Sequence, residues 1–493
     1  MDERSDPPEE APQFGSRGAD LPAPPMPSPP PAPPGSRFGK GWRPAVTGAV
    51  ATALAVAVLA EAVAFAFRAL GGSPKPSVGL TARIGLALFY VFHHVGLVLD
   101  ASDLRISAGA GIPSVSELHI TIAVALLSGT LVAAILLVLS GRAVGRAVGG
   151  PAWLRGLSGA KIALPYAAIC LLGSLAVRFT LSLPANPALS GRVSIHPSYI
   201  AAALWPLGLG IVFGFTGGFI SEKPSPAEAP GQHRVRVALA GGWRMLAAGL
   251  ILSYVALLAL SFVEPGTKSV AYNLSTGGTT RDALGGGLLT GLTVPNRAAL
   301  VLFPSMGSCL GIFAHGGVTS ISFCVLSYAH FPTRSAVATV GAAVRPTGLP
   351  SLPGAPAGYL GFLLVPALAM VFGGVWVARR LGSAGRGEAA LAGALAGAVF
   401  ALLALGVAVL STLTVKVAGG SGGSVQSGSA RLGPDLVVGT LLALAWGVAG
   451  GMIGALAGRR AGPEPTGQPA GPADHGFGPP EVPPPPVGPG GLP

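Results

Sequence analysis

The chain contains eight apolar runs, each about as long as a helix must be to cross the hydrocarbon core of a bilayer. They cover residues 45–67, 119–140, 160–183, 199–220, 243–263, 358–378, 388–414 and 434–457. Half of all residues are hydrophobic and only 10% are charged, whereas about a quarter of the residues of a soluble domain are charged. The sequence therefore predicts an all-α polytopic integral membrane protein with eight transmembrane helices, or up to ten.

Lysine and arginine stand singly or in pairs at the ends of these runs and not in a stripe, although the net charge is +12. This distribution argues against nucleic acid as a partner. Alternate loops are much richer in cations, as Arg142 with Arg146 and Arg379 with Arg380 illustrate. Cytoplasmic loops carry such an excess. We therefore expect a multi-pass protein of the cytoplasmic membrane, surrounded by membrane lipids, with both termini in the cytoplasm.

Two further apolar stretches, 79–99 and 286–330, fit a crossing less well. The first carries an arginine and two adjacent histidines, which are costly in hydrocarbon. The second carries two prolines, which break helices unless neighbours satisfy the freed backbone groups. One extra crossing would also reverse every later basic cluster. We expect both to be re-entrant or interfacial helices, although 286–330 could instead form a pair of spans.

Several short motifs occur twice in the same order along the chain. They are Gly41-Trp42-Arg43 with Gly242-Trp243-Arg244, Arg83-x-x-Leu86-x-Leu88-Phe89 with Arg297-x-x-Leu300-x-Leu302-Phe303, Gly111-Ile112-Pro113-Ser114 with Gly348-Leu349-Pro350-Ser351, and Ser190-Gly191 with Ser427-Gly428. Such order predicts two tandem repeats. Because each repeat has an even number of spans, both copies face the same way, as parallel repeats. The alternative is that membrane helices with basic flanks simply resemble one another.

The organisation that follows has five parts. Residues 1–40 form a disordered Pro-rich cytoplasmic tail, 41–220 membrane repeat 1, 221–241 a cytoplasmic linker, 242–460 membrane repeat 2, and 461–493 a disordered Pro/Gly-rich cytoplasmic tail. The tails bury too little apolar area to order themselves. They could bind proteins that recognise proline motifs or proteins of the cell envelope, or serve only as solvated spacers.

Arg83 and Arg297 are the best candidates for substrate binding. Each precedes the same Leu-x-Leu-Phe segment on the outer side. A guanidinium can hold a phosphate or carboxylate through paired hydrogen bonds, so two arginines related by pseudo-symmetry predict one anion site between the halves. The alternative is that both side chains only snorkel to the membrane interface.

His93, His94 and Glu61 are further candidates for the same substrate site. Glu61 is the one carboxylate well inside a clear apolar run, where it could relay a proton or anchor the interface. Adjacent histidines on a helix point about 100° apart, so they do not predict a metal site. We expect no cofactor, and the sequence shows no motif of a known enzyme class. The three cysteines predict small buried side chains, because their spacing matches no metal or disulfide framework.

Glycines recur in the last span of each repeat. They are Gly210, Gly214 and Gly217 in the first and Gly447, Gly451 and Gly454 in the second. Small residues four apart let helix backbones approach closely. We expect these two helices to pack at the centre, possibly against each other, or to leave room for a ligand.

The second half also resembles a known family. Its Val294-Pro295-Asn296 step, its outer Gly-Leu-Pro-Ser loop and the Leu432-Gly433-Pro434 segment before the last helix are similar to those of the PerM-like multi-pass membrane proteins of actinobacteria. The resemblance implies a role in cell division or envelope integrity. It supplies no catalytic residues.

Two functions are compatible with these observations. The first is permease-like handling of a small or amphipathic anion, such as a lipid, between two pseudo-symmetric halves; the duplication and the paired arginines favour it. The second is a non-enzymatic envelope or cell-division scaffold that recruits partners through its Pro-rich tails and outer loops. The bland polarity of the spans favours the scaffold.

Overall fold

Helices dominate the part of the chain that the computed structural model describes, which is residues 39–70, 75–106, 117–186, 189–221, 230–263, 280–315, 321–324, 357–382, 385–421 and 424–458. The described residues from Gly41 onward belong to one compact unit. Within them, nine helices are long and apolar enough to cross a membrane. The prediction of a multi-pass membrane protein is confirmed.

The described residues of the first half of the chain form six α-helices. They are α1 Trp42–Leu70, α2 Val78–Val91, α3 Leu127–Val148, α4 Ala152–Gly159, α5 Ala163–Ala176 and α6 Tyr199–Phe219. A single turn of 3-10 helix joins α4 to α5, so that the two form one candidate span. The apolar faces of α1, α2, α3, α5 and α6 share one core, in which Tyr90, Phe92 and Tyr166 are fully buried or nearly so.

In the second half, the part of the chain that the structure describes forms five α-helices and a core of its own. They are α7 Pro230–Val263, α8 Thr280–Ser305, α9 Leu364–Leu381, α10 Arg386–Ser411 and α11 Leu436–Ala457. Met245, Phe303 and Phe400 are fully buried in this second core. Helix α7 begins well inside the expected linker, and its Val237 is already buried there.

An eight-stranded antiparallel sheet, which the sequence analysis did not predict, joins the two halves. Its strands are β1 Leu97–Ile106, β2 Glu117–Ala123, β3 Phe179–Asn186, β4 Leu189–Pro197, β5 Cys309–His315, β6 Ile321–Cys324, β7 Leu413–Ser421 and β8 Ser424–Pro434. Their order is β3-β4-β1-β2-β7-β8-β5-β6. The four strands of the first half therefore lie side by side on one side of the sheet, and the four strands of the second half lie on the other. Strands β2 and β7 pair where the two groups meet. The all-α expectation is wrong for this layer.

The sheet is amphipathic because side chains alternate between its faces. One row of partners across six strands is Phe179, Ile195, Leu99, Ile120, Val417 and Gly428. The adjacent row, on the opposite face, is Thr180, Ser194, Asp100, His119, Ala418 and Ser427. One face is therefore apolar and the other polar.

The same turn follows α2 and α8. After α2, the amide of Val95 donates to the Tyr90 carbonyl (3.0 Å), and after α8 the amide of Ser308 donates to the Phe303 carbonyl (3.1 Å). The residue before the donor has positive φ in both turns, +58° at His94 and +94° at a glycine. Glycine adopts this conformation freely, whereas histidine does so at a cost.

The strands after these turns also pair in the same way. Leu97 of β1 lies opposite Pro197 of β4, and Leu310 of β5 lies opposite Pro434 of β8. The repeated Gly-Trp-Arg motif does not coincide with this correspondence. Gly41 lies against the C-terminal end of α3, whereas Gly242 lies against the middle of α10. The two Gly-x-Pro-Ser segments lie outside the described residues.

Glycine contacts hold each half together separately. Gly210, Gly214 and Gly217 of α6 lie against Ala163, Gly159 and Val138 of the first half. Gly447, Gly451 and Gly454 of α11 lie against Gly397, Gly393 and Val371 of the second half. The helices α6 and α11 therefore pack within their own halves and do not use these glycines to pack against each other.

The two stretches that we expected to be re-entrant or interfacial differ in length. Helix α2 has 14 residues, too few to span, whereas Leu284–Ser305 of α8 is one of the nine candidate spans. Helix α8 leads directly into β5, and its Gly285 lies beside Leu70 at the end of α1. Beyond residue 308, the described residues of this stretch form the strands Cys309–His315 and Ile321–Cys324.

Candidate functional site

A groove of about 400 Å³ crosses the polar face of the sheet where the two halves join. Strand β2 of the first half and strands β7 and β8 of the second half line it. Its polar lining residues are His119, Thr121, Lys416, Ser427 and Ser429. In the ladder Thr121 lies opposite Lys416, and Lys416 lies opposite Ser429. An ammonium group and several hydroxyl groups are therefore close together.

The groove can accept an anion. The Lys416 side chain is exposed, and an ammonium offers three hydrogen-bond donors. Hydroxyl groups on both neighbouring strands add further donors. No group of three or more His, Cys, Asp or Glu residues in the described part of the chain could hold a metal ion. An anionic ligand is thus the chemistry that this lining favours.

Asp100 holds two histidines beside the groove. His119 Nδ1 lies 2.6 Å from one carboxylate oxygen, and His196 Nε2 lies 3.0 Å from the other. The His196 ring stacks on Tyr199 at the start of α6 (5.3 Å between centroids). Partial burial raises the pKa of Asp100, but the hydrogen bonds from His119 and His196 outweigh burial and lower it below its usual value. The carboxylate thereby fixes the position of His119 at the edge of the groove.

Because the pKa of Asp100 is lowered in the folded protein, its contribution to stability is present above the unfolded pKa and is lost as the pH falls through the folded pKa. We expect Asp100→Asn to lower the free energy of unfolding at pH 7 by about 1 kcal/mol, and to weaken the decline of stability on acidification. Chemical denaturation of both proteins between roughly pH 7 and pH 3 measures this. Parallel curves for the two would contradict it.

Arg83 and Arg297 stand one helical position out of register. Arg83 precedes Tyr90 by seven residues, whereas Arg297 precedes the corresponding Phe303 by six. The residue that corresponds to Arg83 is therefore Asn296. Arg83 is exposed on α2, and Arg297 is half-buried on α8. The Leu-x-Leu-Phe match thus does not place the two arginines at symmetric positions.

His93 and His94 contact protein groups. His93 is fully buried; its Nδ1 donates to the Phe89 carbonyl (2.6 Å), and its Nε2 accepts from the Tyr166 hydroxyl (2.5 Å). His94 packs edge-on against Trp205 (4.6 Å) and hydrogen-bonds the Leu410 carbonyl of the second half. No ring nitrogen of His93 is left for a ligand. The Nδ1 atom of His94 is buried and has no hydrogen-bond partner among the described residues, so a role of His94 in substrate binding stays a prediction.

Glu61 lies between α1 and α2. Its carboxylate contacts Gly85, where any side chain would collide with it. One carboxylate oxygen, Oε2, is buried and has no hydrogen-bond partner among the described residues. The Nε atom of the nearby Arg68 donates to the Pro76 carbonyl (2.9 Å). Glu61 does not line the groove. It is a buried carboxylate at the contact between α1 and α2.

Asn296 joins the halves beneath the sheet. Its side-chain oxygen accepts from the Leu127 amide (2.9 Å), and its side-chain nitrogen donates to the Ala125 carbonyl (2.7 Å). The Ser128 hydroxyl donates to the Leu292 carbonyl of α8 (2.7 Å). An α8 residue of the second half thus caps the first turn of α3, whose amides lack partners within the helix. In the sequence, only Pro295, the helix-breaking residue before Asn296, marked this position as unusual; nothing there predicted the bridge between the halves.

No family model, curated protein or solved structure matches this chain. Its function must therefore be inferred from its own sequence and geometry.

Proposed function

We propose that the chain is a duplicated membrane protein that handles a small or amphipathic anion, in the manner of a permease, at the outer face between its pseudo-symmetric halves. The groove between β2 and β7 carries this proposal, because strands of both halves line it and Lys416 lies among hydroxyl groups. We infer an anionic ligand because a lysine lines the groove, and an amphipathic one because the groove would lie at the membrane surface.

The duplication is supported by backbone contacts that sequence comparison does not use. The amide of Ser198 donates to the Gly96 carbonyl (2.8 Å), and the amide of Asp435 donates to the Cys309 carbonyl (3.0 Å). These bonds connect equivalent points, since each lies where the first strand of a half meets the last helix of that half. With the shared turns and registers, they favour tandem parallel repeats.

We further propose that eight spans cross the bilayer and that α2 and α8 are re-entrant. Helix α3 begins just after β2 and so descends from the sheet; α1 begins against the far end of α3 and so ends on the sheet side. Helix α2 follows α1 and leads into β1, and α8 starts beside Leu70 and leads into β5. Both would therefore enter and leave on one side.

The sheet side is proposed to be the exterior of the cytoplasmic membrane, with both termini in the cytoplasm. Cys309 of β5 is disulfide-bonded, and the residue opposite it in the ladder is Cys324. Disulfides persist in oxidising compartments, which favours an external sheet. The arginines at the helix ends away from the sheet, such as Arg146 and Arg380, favour the same orientation. The bonded Cys309 also corrects the expectation of cysteines that only fill the core; Cys170 is free and buried.

Lys416→Gln is expected to weaken binding of a single-chain amphipathic anion roughly fivefold, because one cation at a membrane surface contributes about 1 kcal/mol. The measurement is binding of dodecyl phosphate to the purified full chain in neutral detergent, followed by native mass spectrometry. Lys75→Gln is the matched control, since Lys75 is an exposed lysine that precedes α2 and lies outside the groove.

Three outcomes would count against the groove as the site. The first is equal binding by the Lys416→Gln protein, and the second is an equal loss in the Lys75→Gln control. The third is binding of an uncharged dodecyl glycoside that resists competition by dodecyl phosphate. The unfolding temperature of each variant without ligand shows whether any loss comes from misfolding.

A scaffold of the cell envelope is the second proposed function, and the glycine contacts favour it. Backbone packs directly on backbone between α6 and α3 and between α11 and α10. Such close packing favours a rigid structure within each half, as a scaffold requires. The PerM-like resemblance points to the same role. Deleting residues 1–36 and 462–493 should abolish partner recruitment in this case and leave anion binding unchanged. Pull-down of envelope proteins by full-length and truncated chains distinguishes the two functions.

A further inference from the structure

Two arginines share one tryptophan near the end of α9 that lies away from the sheet. The guanidinium carbon of Arg244 on α7 lies 3.7 Å from the centroid of the Trp376 ring on α9. That of Arg380, one turn further along α9, lies 5.5 Å from the same centroid. Stacking on an aromatic face orients a guanidinium and leaves its N–H edge available. The tryptophan thus holds two cations side by side.

These two cations have no acidic partner in the described part of the chain. Nearby, Arg234 forms an ion pair with Glu388 (2.7 Å). Arg244 donates one hydrogen bond, from Nη1 to the Ala240 carbonyl (3.2 Å), and both Arg244 and Arg380 are exposed. Two like charges that converge without a carboxylate favour an anion between them.

The surface above the cations is apolar and faces outward. Residues four apart share a helix face, so Leu368 and Phe372 of α9 continue the line of Trp376 and Arg380; they are 58% and 57% exposed. On α7, Ile251 is 63% exposed two turns above Arg244. Helices α7 and α9 pack on each other. A seam of exposed apolar side chains therefore runs from the two arginines along the spans.

We propose that Arg244, Trp376 and Arg380 bind the phosphate of an anionic phospholipid, with its acyl chains along the exposed seam of α7 and α9. In the orientation proposed above, this lipid belongs to the inner leaflet. Trp376 lies one turn from the end of α9, which is the depth at which tryptophan rings meet headgroups. Free phosphate has the same charge, but only a lipid uses the apolar seam.

The test measures binding of phosphatidylglycerol to the purified full chain in neutral detergent by native mass spectrometry. Arg244→Gln and Arg380→Gln are each expected to weaken binding roughly fivefold, and Trp376→Leu to weaken it by a similar factor because the guanidinium groups lose their platform. Arg379→Gln is the matched control, because Arg379 is exposed beside Arg380 but makes no described contact with Trp376. Its affinity should stay within a factor of two of the unmodified chain, which marks the control as unaffected.

Further arms separate the lipid from other anions and from the outer groove. Phosphatidylcholine should bind the unmodified chain more weakly than phosphatidylglycerol, and millimolar inorganic phosphate should not displace the lipid. The Lys416→Gln protein should bind phosphatidylglycerol at this site with unchanged affinity. If the groove proves not to bind anions, the expected lipid binding at Arg244, Trp376 and Arg380 is therefore unaffected. Equal losses in Arg379→Gln and Arg380→Gln, or displacement by inorganic phosphate, would overturn the proposal. Unfolding temperatures measured without lipid identify a variant that fails to fold. If Arg244→Gln fails to fold, Arg244→Lys replaces it in the test. Because lysine keeps the positive charge, this variant should retain part of the affinity for phosphatidylglycerol, and complete loss of binding by a folded Arg244→Lys protein would contradict the proposal.

Discussion

Gly217→Ala is expected to prevent recovery of folded protein, whereas Gly208→Ala on the same helix is expected to leave it intact. A methyl group at position 217 would meet the Val138 carbonyl oxygen directly and would lie 3.0 Å from the Arg142 amide nitrogen. Both atoms belong to the backbone of α3, which cannot turn aside as a side chain can. Overpacking a core costs about 1–3 kcal/mol even where side chains yield, so we expect at least about 3 kcal/mol here.

Fluorescence-detected size-exclusion chromatography and thermal unfolding in detergent measure this effect. A methyl group at position 208 would have no neighbouring atom within 4 Å among the described residues, and alanine is the better helix former. The control should therefore match or slightly exceed the unmodified chain. Gly454→Ala tests the equivalent contact in the second half, where the methyl group would meet the Val371 carbonyl oxygen. A monodisperse Gly217→Ala protein with an unchanged unfolding temperature would show that α3 and α6 are not held by this contact.

Asn296→Ala is expected to loosen the connection between the halves by about 2–4 kcal/mol. The substitution leaves the Leu127 amide and the Ala125 carbonyl without their partner, and an unsatisfied buried polar group costs about 1–3 kcal/mol. Close to Asn296, the halves also share the hydrogen bond from the Ser128 hydroxyl to the Leu292 carbonyl and a small apolar cluster that contains Ala125, Leu127 and Ala299. Hydrogen exchange of residues 124–130, followed by mass spectrometry, should accelerate more than exchange elsewhere in α3.

Thr293→Ala is the matched control for this substitution. Thr293 lies about one turn before Asn296 on α8, and its hydroxyl donates only to carbonyls of its own helix. Its removal should leave exchange at residues 124–130 unchanged. If both variants accelerated exchange equally, general loosening of α8 would explain the result and the specific bridge would be refuted.

Hydropathy was sufficient to predict most of the helices. The predicted run 199–220 differs from α6 by a single residue, and 434–457 differs from α11 by two. Both helices are apolar on all sides, so their length and composition define them without regard to partners. Helix α8 was harder, because its two prolines suggested a broken segment.

The sheet was missed because strands merge with helices in an apolar sequence. The predicted run 119–140 combines the end of β2 with most of α3. The segment Leu118-His119-Ile120-Thr121-Ile122 nevertheless alternates apolar and polar residues, and that period of two distinguishes a strand from a helix. A hydropathy window averages this alternation away.

The candidate sites depend on contacts that lie far apart in sequence. His119 and Lys416 belong to different halves, and they meet only because β2 pairs with β7. Arg244 and Arg380 were interpreted as markers of orientation, since nothing in the sequence indicates that both stack on Trp376. Arg83 and Arg297 are one residue out of register because a Leu-x-Leu-Phe match arises easily in a chain this rich in leucine, and their role in anion binding stays a prediction.

The ladder between β2 and β7 has a mechanical consequence. It runs from Glu117 opposite Gly420 to Ala123 opposite Thr414, so backbone hydrogen bonds stitch the halves along seven successive residue pairs. Carriers that swing one bundle against the other need a free boundary between the bundles. In this protein such a swing would have to bend the sheet or break the hydrogen bonds between β2 and β7. Any motion that exposes opposite sides of the membrane in turn must therefore be a twist about β2 and β7, with the far edges of the sheet moving most.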